Sequence, residues 1–188
     1  MSHTVHPYSH RLGIIRDWKS RWFSVDKAYR TSLKADLLIR EYLMKELRAN
    51  HVGGLDIERN RKAIRIIIKT SRPGLLIGKA GDGVTKLRAK ILRLLKDNNI
   101  QLGDQELKID IEEVRNPESN SAIVAMQIAE SLEKRMPYRR VMKQTIEKVM
   151  ANKDVQGIRI RLGGRLGGAE IARSDTLLPH RCPVAGLS

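Results

Sequence analysis

The chain has 188 residues, 41% of them hydrophobic, enough for one large domain or two small ones with proper cores. Thirty-six Lys and Arg against 21 Asp and Glu leave a formal charge of +15, so a polyanion is the expected partner and nucleic acid is favoured over membrane. The longest aliphatic run, Ile66, Ile67 and Ile68, cannot span a bilayer, and only 4% aromatic residues argue against a base-stacking platform.

The first segment, MSHTVHPYSHRLG, lacks the apolar stretch of a secretory signal, and the lone Cys182 cannot form an internal disulfide, so a reducing cytoplasm is the expected compartment. Residues 1–31 read as a basic arm, in which Arg11, Arg16, Lys19 and Arg21 alternate irregularly with Trp18, Trp22 and Phe23. Two readings stand: a partly disordered tail, or an arm that takes its order from docking on a protein or RNA surface.

From Ser32 onward Leu33, Leu37, Leu38, Tyr42, Leu43 and Leu47 recur at helical spacing, with Ser32 as the expected N-cap. Gly53 and Gly54 end that helix. Leu55 and Ile57, then Ile64, Ile66 and Ile68 beyond a polar turn at Asn60, alternate as two strands. Pro73 and Gly74 open a short apolar turn over 75–77 that leads into Gly78, Lys79, Ala80 and Gly81. Val84, Leu87, Ile91, Leu94 and Leu95 then mark a helix that Asn98 and Asn99 stop. Leu107, Ile109 and Ile111 alternate with Lys108, Asp110 and Glu112 as a third strand, and Pro117 closes the unit.

Beyond Pro117, Val124, Ile128 and Leu132 mark one helix and Met142, Ile146, Val149 and Met150 another; Pro137 between them makes a helical hairpin. Ile158, Ile160 and Leu162 alternate with Arg159 and Arg161, giving a strand with one apolar and one cationic face before the glycine-rich stretch 163–168. No repeat of solenoid period and no low-complexity tract interrupts the chain.

The order helix, strand, strand, short apolar turn, GKAG, helix, strand resembles a type II KH domain, whose G-x-x-G loop joins two helices. Glycines at both ends, here Gly78 and Gly81, let the backbone lie against sugar and phosphate, and Lys79 beside Ala80 can neutralise a phosphate. A helix beginning near Asp82 offers free N–H groups, although the Asp82 charge opposes an anion there. A nucleotide-hydrolysing phosphate loop is excluded: only three residues separate Gly74 from Gly78, and Ala80 stands where a hydroxyl must ligand Mg²⁺. Gly78, Gly81 and Gly83 also miss the dinucleotide-binding spacing.

After Pro137, Arg139, Arg140 and Lys143 project from one helix face at spacings of three and four, with no acid before Glu147 to neutralise them. Together LGIIRDWKSRWF, PGLLIGKAG, YRRVMKQ and GGRLGGAEIARS resemble, in order, the bacterial-type family of the third protein of the small ribosomal subunit, over residues 5–175. The resemblance implies an α/β chain: a type II KH domain at 32–116, then an α/β domain at 117–175 in which the helical hairpin packs on a sheet, and a divergent tail at 176–188.

It further implies a place in the head of the subunit, beside the channel through which mRNA enters, with neighbouring head proteins. Small-subunit rRNA and mRNA are the implied partners, and Arg139, Arg140 and Lys143 match the family's messenger-binding and unwinding face. Arg159, Arg161, Arg165 and Arg173 are candidates for rRNA or messenger contact, as are the arm cations Arg11, Arg16, Lys19 and Arg21; Gly163, Gly164, Gly167 and Gly168 are expected to serve a backbone turn. Beyond GAEIAR the family continues with an R-V-P-L stretch, a helix and a strand hairpin. Arg181, Cys182, Pro183 and Val184 echo that stretch faintly, so several strands are expected to be absent, whether from a short variant, a fragment or a frame shift. A strand over 158–162 without its neighbour would expose ladder groups and apolar surface.

Neither catalysis, a cofactor nor a metal is expected. Cys182 has only His180 nearby, and His6 and His10 are separated by Pro7 with no further ligand. The rival reading is a free-standing KH-type RNA chaperone or regulator, which requires neither the arm nor a second domain.

Overall fold

Helix α1 (Asp26–Glu46) begins well before Ser32, with Val25 at the N-cap position and no side-chain cap. Ser32 is half-buried inside the helix rather than capping it. Lys27, Ala28 and Arg30 are ordinary helix formers and Asp26 suits the positive end of the dipole, so the helix extends upstream of its apolar pattern. The structure is a computed structural model that describes residues 5–100 and 105–178; Arg181, Cys182, Pro183 and Val184 lie outside the described residues. The chain divides into two units, Met1–Glu113 and Val114–Ser188.

In the first unit α1 covers a sheet of four strands in the order β1 (Ser20–Arg21), β2 (Val52–Arg59), β3 (Ala63–Thr70), β4 (Glu106–Glu113). β2 and β3 form an antiparallel pair, while β3 and β4 run parallel. A parallel pair needs a crossover, and α2 (Pro73–Ile77) with α3 (Asp82–Asp97) supplies it. The apolar turn expected at 75–77 is thus helical, started by Pro73 in its first turn, where proline's missing N–H is not needed. Ile64, Ile66 and Ile68 point inward with no exposed surface and pack with Ile39, Leu43, Ile91 and Leu95. This is the type II KH arrangement, an α/β fold.

The arm takes its order from this same unit. β1 pairs in parallel with β2, Ser20 opposite Ile57 and Arg21 opposite Glu58. The Ile57 N–H donates to the Lys19 carbonyl at 2.9 Å, and Arg40 on α1 donates to the Leu55 carbonyl at 2.6 Å and to Ser20 Oγ at 3.0 Å. The Trp22 indole N–H donates to Asp36 Oδ2 at 2.7 Å, while Arg59 grips Asp36 Oδ1 at 2.5 and 2.7 Å. Asp36 and Arg59 side chains are only 5% and 8% exposed, so this pair is desolvated and fully engaged.

The second unit holds α4 (Ser121–Glu133) and α5 (Tyr138–Met150), with the Ala122 N–H donating to the Asn120 side chain as an N-cap at 3.0 Å. The hairpin packs on a two-stranded antiparallel sheet of β5 (Ile160–Gly164) and β6 (Arg173–Leu177). Val124, Ile128, Val141, Met142, Val149 and Ile160 form its core. The strand starts at Ile160, two positions later than the alternation indicated, and absorbs Gly163 and Gly164; the turn is made by a short helical stretch, Leu166–Gly168, and the residues after it. β6 has no sequence signal of its own and runs past position 175, where the family-like segment was expected to end. Among the described residues β5 pairs with β6 alone.

Candidate nucleic-acid interface

α2 ends at Gly78, whose φ of 69° and ψ of −170° lie outside the reach of a side-chain-bearing residue. Lys79–Gly81 follows as one tight turn with Ala80 at φ 53° and Gly81 at φ 86°, after which α3 starts with no side-chain cap on its first N–H groups. Lys79 and Ala80 are exposed, and buried Leu76 anchors the turn to the core. The loop therefore presents bare backbone, a Lys79 side chain without a partner among the described residues, and the N-terminus of a 16-residue helix whose positive end is partly offset by Asp82 in its first turn.

The sequence brought Gly83 forward only as a misfit to the dinucleotide-binding spacing, with no structural role. A Cβ there would sit 2.1 Å from the Leu76 carbonyl oxygen and 3.0 Å from that of Ile77, both backbone atoms. The close approach of α2 to α3 that shapes the loop thus requires hydrogen at this position. Gly83→Ala is expected to destabilise the first unit by about 3 kcal/mol through overpacking. Chemical denaturation would check it, a loss below half that value showing that the helices can part without consequence.

The open face of the four-stranded sheet is not an anion site, because its cations are matched by acids. Arg21 meets Glu58 at 2.6 Å and Asp17 at 2.9 Å, Lys69 meets Asp56 at 2.9 Å, and Arg65 binds Asp110. Hydrogen bonds first to Glu58 and then to Asp17 raise the Arg21 pKa. Of the arm candidates, Arg21 is engaged in this way. Lys19 lies 4.9 Å over the Tyr8 ring, Arg11 donates to the Pro7 carbonyl at 3.0 Å, and Arg16 is exposed.

The second unit gathers its cations at the start of α5. Arg139, Arg140 and Lys143 are exposed and line one cleft of about 570 Å³ with Gln144, Asp175, Thr176 and Leu177. No acid stands in the first turn of α5, so the cations lie at the helix's positive end, where they raise the energy of the free protein and favour a bound anion. The side chains of Arg140 and Lys143 form no ion pair or hydrogen bond among the described residues. Arg139 donates to the Tyr138 hydroxyl at 3.1 Å, and that bond is the leading cause of its raised pKa; Asp175 contributes a smaller attraction.

Register decides where the strand cations go. Gly164 faces Arg173, Leu162 faces Asp175 and Ile160 faces Leu177, so Arg173 and Asp175 share the helix-facing side of the sheet with Ile160. Arg173 reaches the Tyr138 hydroxyl at 3.5 Å and joins the α5 group. Arg161, opposite Thr176, points to the other side, and exposed Arg159 precedes the strand. Arg165 donates to the Ala169 carbonyl at 2.9 Å and supports the glycine-rich turn. Tyr138, Gln144 and Asp175 were not foreseen; in a chain so poor in rings, a tyrosine directly before two arginines was the available signal.

Among the described residues no group of three or more His, Cys, Asp or Glu could hold a metal ion, and no helix is long and apolar enough to cross a membrane. A KH fold with a matching glycine loop, joined to a second unit bearing a cationic cleft, defines an RNA-binding protein. Comparison with known proteins agrees: the KH domain family matches residues 38–119, and the family described as ribosomal protein S3, C-terminal domain, matches residues 128–185. Small ribosomal subunit protein uS3 of Coprothermobacter proteolyticus is 40% identical over 187 residues, covering 100% of this chain and 77% of that protein. Those of Caldicellulosiruptor bescii and Photobacterium profundum are 38% and 40% identical, covering 100% and 98% of this chain and 81% and 76% of their own lengths.

The chain belongs to the uS3 family of small ribosomal subunit proteins. It is a structural, non-enzymatic, RNA-binding component of the ribosome that serves translation.

Proposed function

We propose that the α5–β6 cleft holds the sugar-phosphate backbone of mRNA in the channel through which mRNA enters the small subunit, while the GKAG loop, Arg159 and Arg161 bind rRNA of the subunit head. The arm cations Arg11, Arg16 and Lys19 add to the rRNA contact, other head proteins are the neighbours, and the particle works in the cytoplasm. The observation that carries the reading is the cleft itself: Arg139, Arg140 and Lys143 lie together, exposed, at the positive end of a helix without an acid in its first turn.

Such a cleft needs no catalytic step to assist unwinding. Translocation draws mRNA inward, and cations that hold single-stranded phosphates oppose re-formation of the duplex ahead of the ribosome, so elongation supplies the energy and the protein is a passive wedge. A photo-crosslinker attached through Gln144→Cys, in small subunits assembled with the chain and programmed with mRNA, is expected to mark mRNA downstream of the decoding site. Crosslinks to rRNA alone would overturn the messenger reading, and a chain that sediments only with light sucrose-gradient fractions would overturn the ribosomal placement.

Replacing Lys79 and Ala80 together by Asp tests the loop. Asp tolerates the left-handed backbone of Ala80, so the turn keeps its shape while a cation is lost and two anions face the ligand. Affinity for rRNA is expected to fall by about tenfold at moderate salt. Unchanged affinity in filter binding would make the glycine turn purely structural.

A further inference from the structure

The cleft contains a group that phosphate binding does not explain. Asp175 lies half-buried on the helix-facing side of β6, lining the same cleft as Arg139, Arg140 and Lys143. A carboxylate there repels a phosphate, and a site shaped for phosphate alone gains nothing from it. Within the fold its carboxylate has only a longer-range attraction to Arg139, with no side-chain hydrogen bond or ion pair among the described residues. Its oxygens are therefore open acceptors facing a space large enough for a nucleotide.

An acceptor needs a donor, and phosphates have none. A ligand that passes through without regard to sequence offers one donor at every step, the ribose 2′-hydroxyl; the exocyclic amines change from base to base. Gln144 adds a second hydrogen-bonding side chain to the cleft, and Leu177 gives an apolar wall suited to the C–H face of a sugar.

We propose that Asp175, with Gln144 beside it, forms a ribose subsite that accepts a hydrogen bond from the 2′-hydroxyl while the α5 cations hold the adjoining phosphate. The subsite rests on the reading of the cleft as a backbone-binding site, and it makes the cleft selective for RNA over DNA, which cations alone cannot do. A hydroxyl bonded to a charged acceptor is worth roughly tenfold in affinity.

The test compares the full chain with Asp175→Ala and Asp175→Asn, using a short oligouridylate and its 2′-deoxy counterpart of equal length, in fluorescence anisotropy at fixed low salt. The unmodified chain is expected to prefer the ribo-oligomer by about tenfold. In Asp175→Ala deoxy-oligomer affinity rises as repulsion disappears, ribo-oligomer affinity does not, and the preference collapses. Asp175→Asn, which keeps an acceptor and the side-chain shape, retains part of it. Equal gains for both oligomers in Asp175→Ala would show a purely electrostatic aspartate and overturn the subsite while leaving the cleft reading intact. A chain that binds neither oligomer overturns the cleft reading and the subsite with it.

Discussion

Replacing Arg139, Arg140 and Lys143 together by Ala is expected to weaken single-stranded RNA binding and to flatten its salt dependence. Each phosphate that is no longer neutralised lowers the slope of log affinity against log salt by about 0.7, so the triple variant should lose roughly 2 from the slope. The side chains are exposed and none belongs to the core of the second unit, so the thermal midpoint should hold. In translating ribosomes the variant should slow passage through hairpin-containing messages and leave unstructured messages unaffected. The slope is the decisive measurement, because it reports how many phosphates the protein neutralises rather than total affinity: a slope that stays where it was clears this helix of any role in gripping the backbone.

How far the sequence led depends on whether a requirement was local. The GKAG loop was legible because the backbone needs glycine at Gly78 and Gly81 whatever surrounds them, and the α5 cations because spacings of three and four place residues on one face regardless of context. Gly83 was not legible, since its constraint comes from the Leu76 carbonyl on a neighbouring helix. β6 was missed for a related reason. Arg173, Ser174, Asp175 and Thr176 carry no alternation of apolar residues; the strand forms because β5 presents a ladder and Leu177 is set opposite Ile160.

The same distinction explains why cations that look alike in sequence differ in use. Arg161 and Arg173 both flank the glycine-rich stretch, yet the strand register sends one away from the helices and brings the other to Tyr138. Arg21 reads as one more basic arm residue, but β1 seats it beside Glu58, where its charge is met within the fold. Net charge names the class of partner, and register and pairing decide which charges reach it.

The arm's attachment yields the largest effect on stability. Asp36→Ala is expected to cost about 3–5 kcal/mol, because it leaves the Arg59 guanidinium buried without a counter-charge and the Trp22 N–H without an acceptor. Trp22 should then leave its site, seen as a red shift in tryptophan emission over the signal of Trp18, which is already 61% exposed. Chemical denaturation of the first unit, followed alongside, gives the energy. A double variant, Asp36→Leu with Arg59→Met, separates the two parts of the loss: with both charges gone the core should recover most of its stability, while the arm, still lacking its acceptor, stays loose. If Asp36→Ala costs less than about 1 kcal/mol, the pair is not desolvated as its burial indicates and the arm is held by the β1 ladder alone. A loosened arm should also lower rRNA affinity, since Arg16 and Lys19 would lose their fixed place beside the KH sheet.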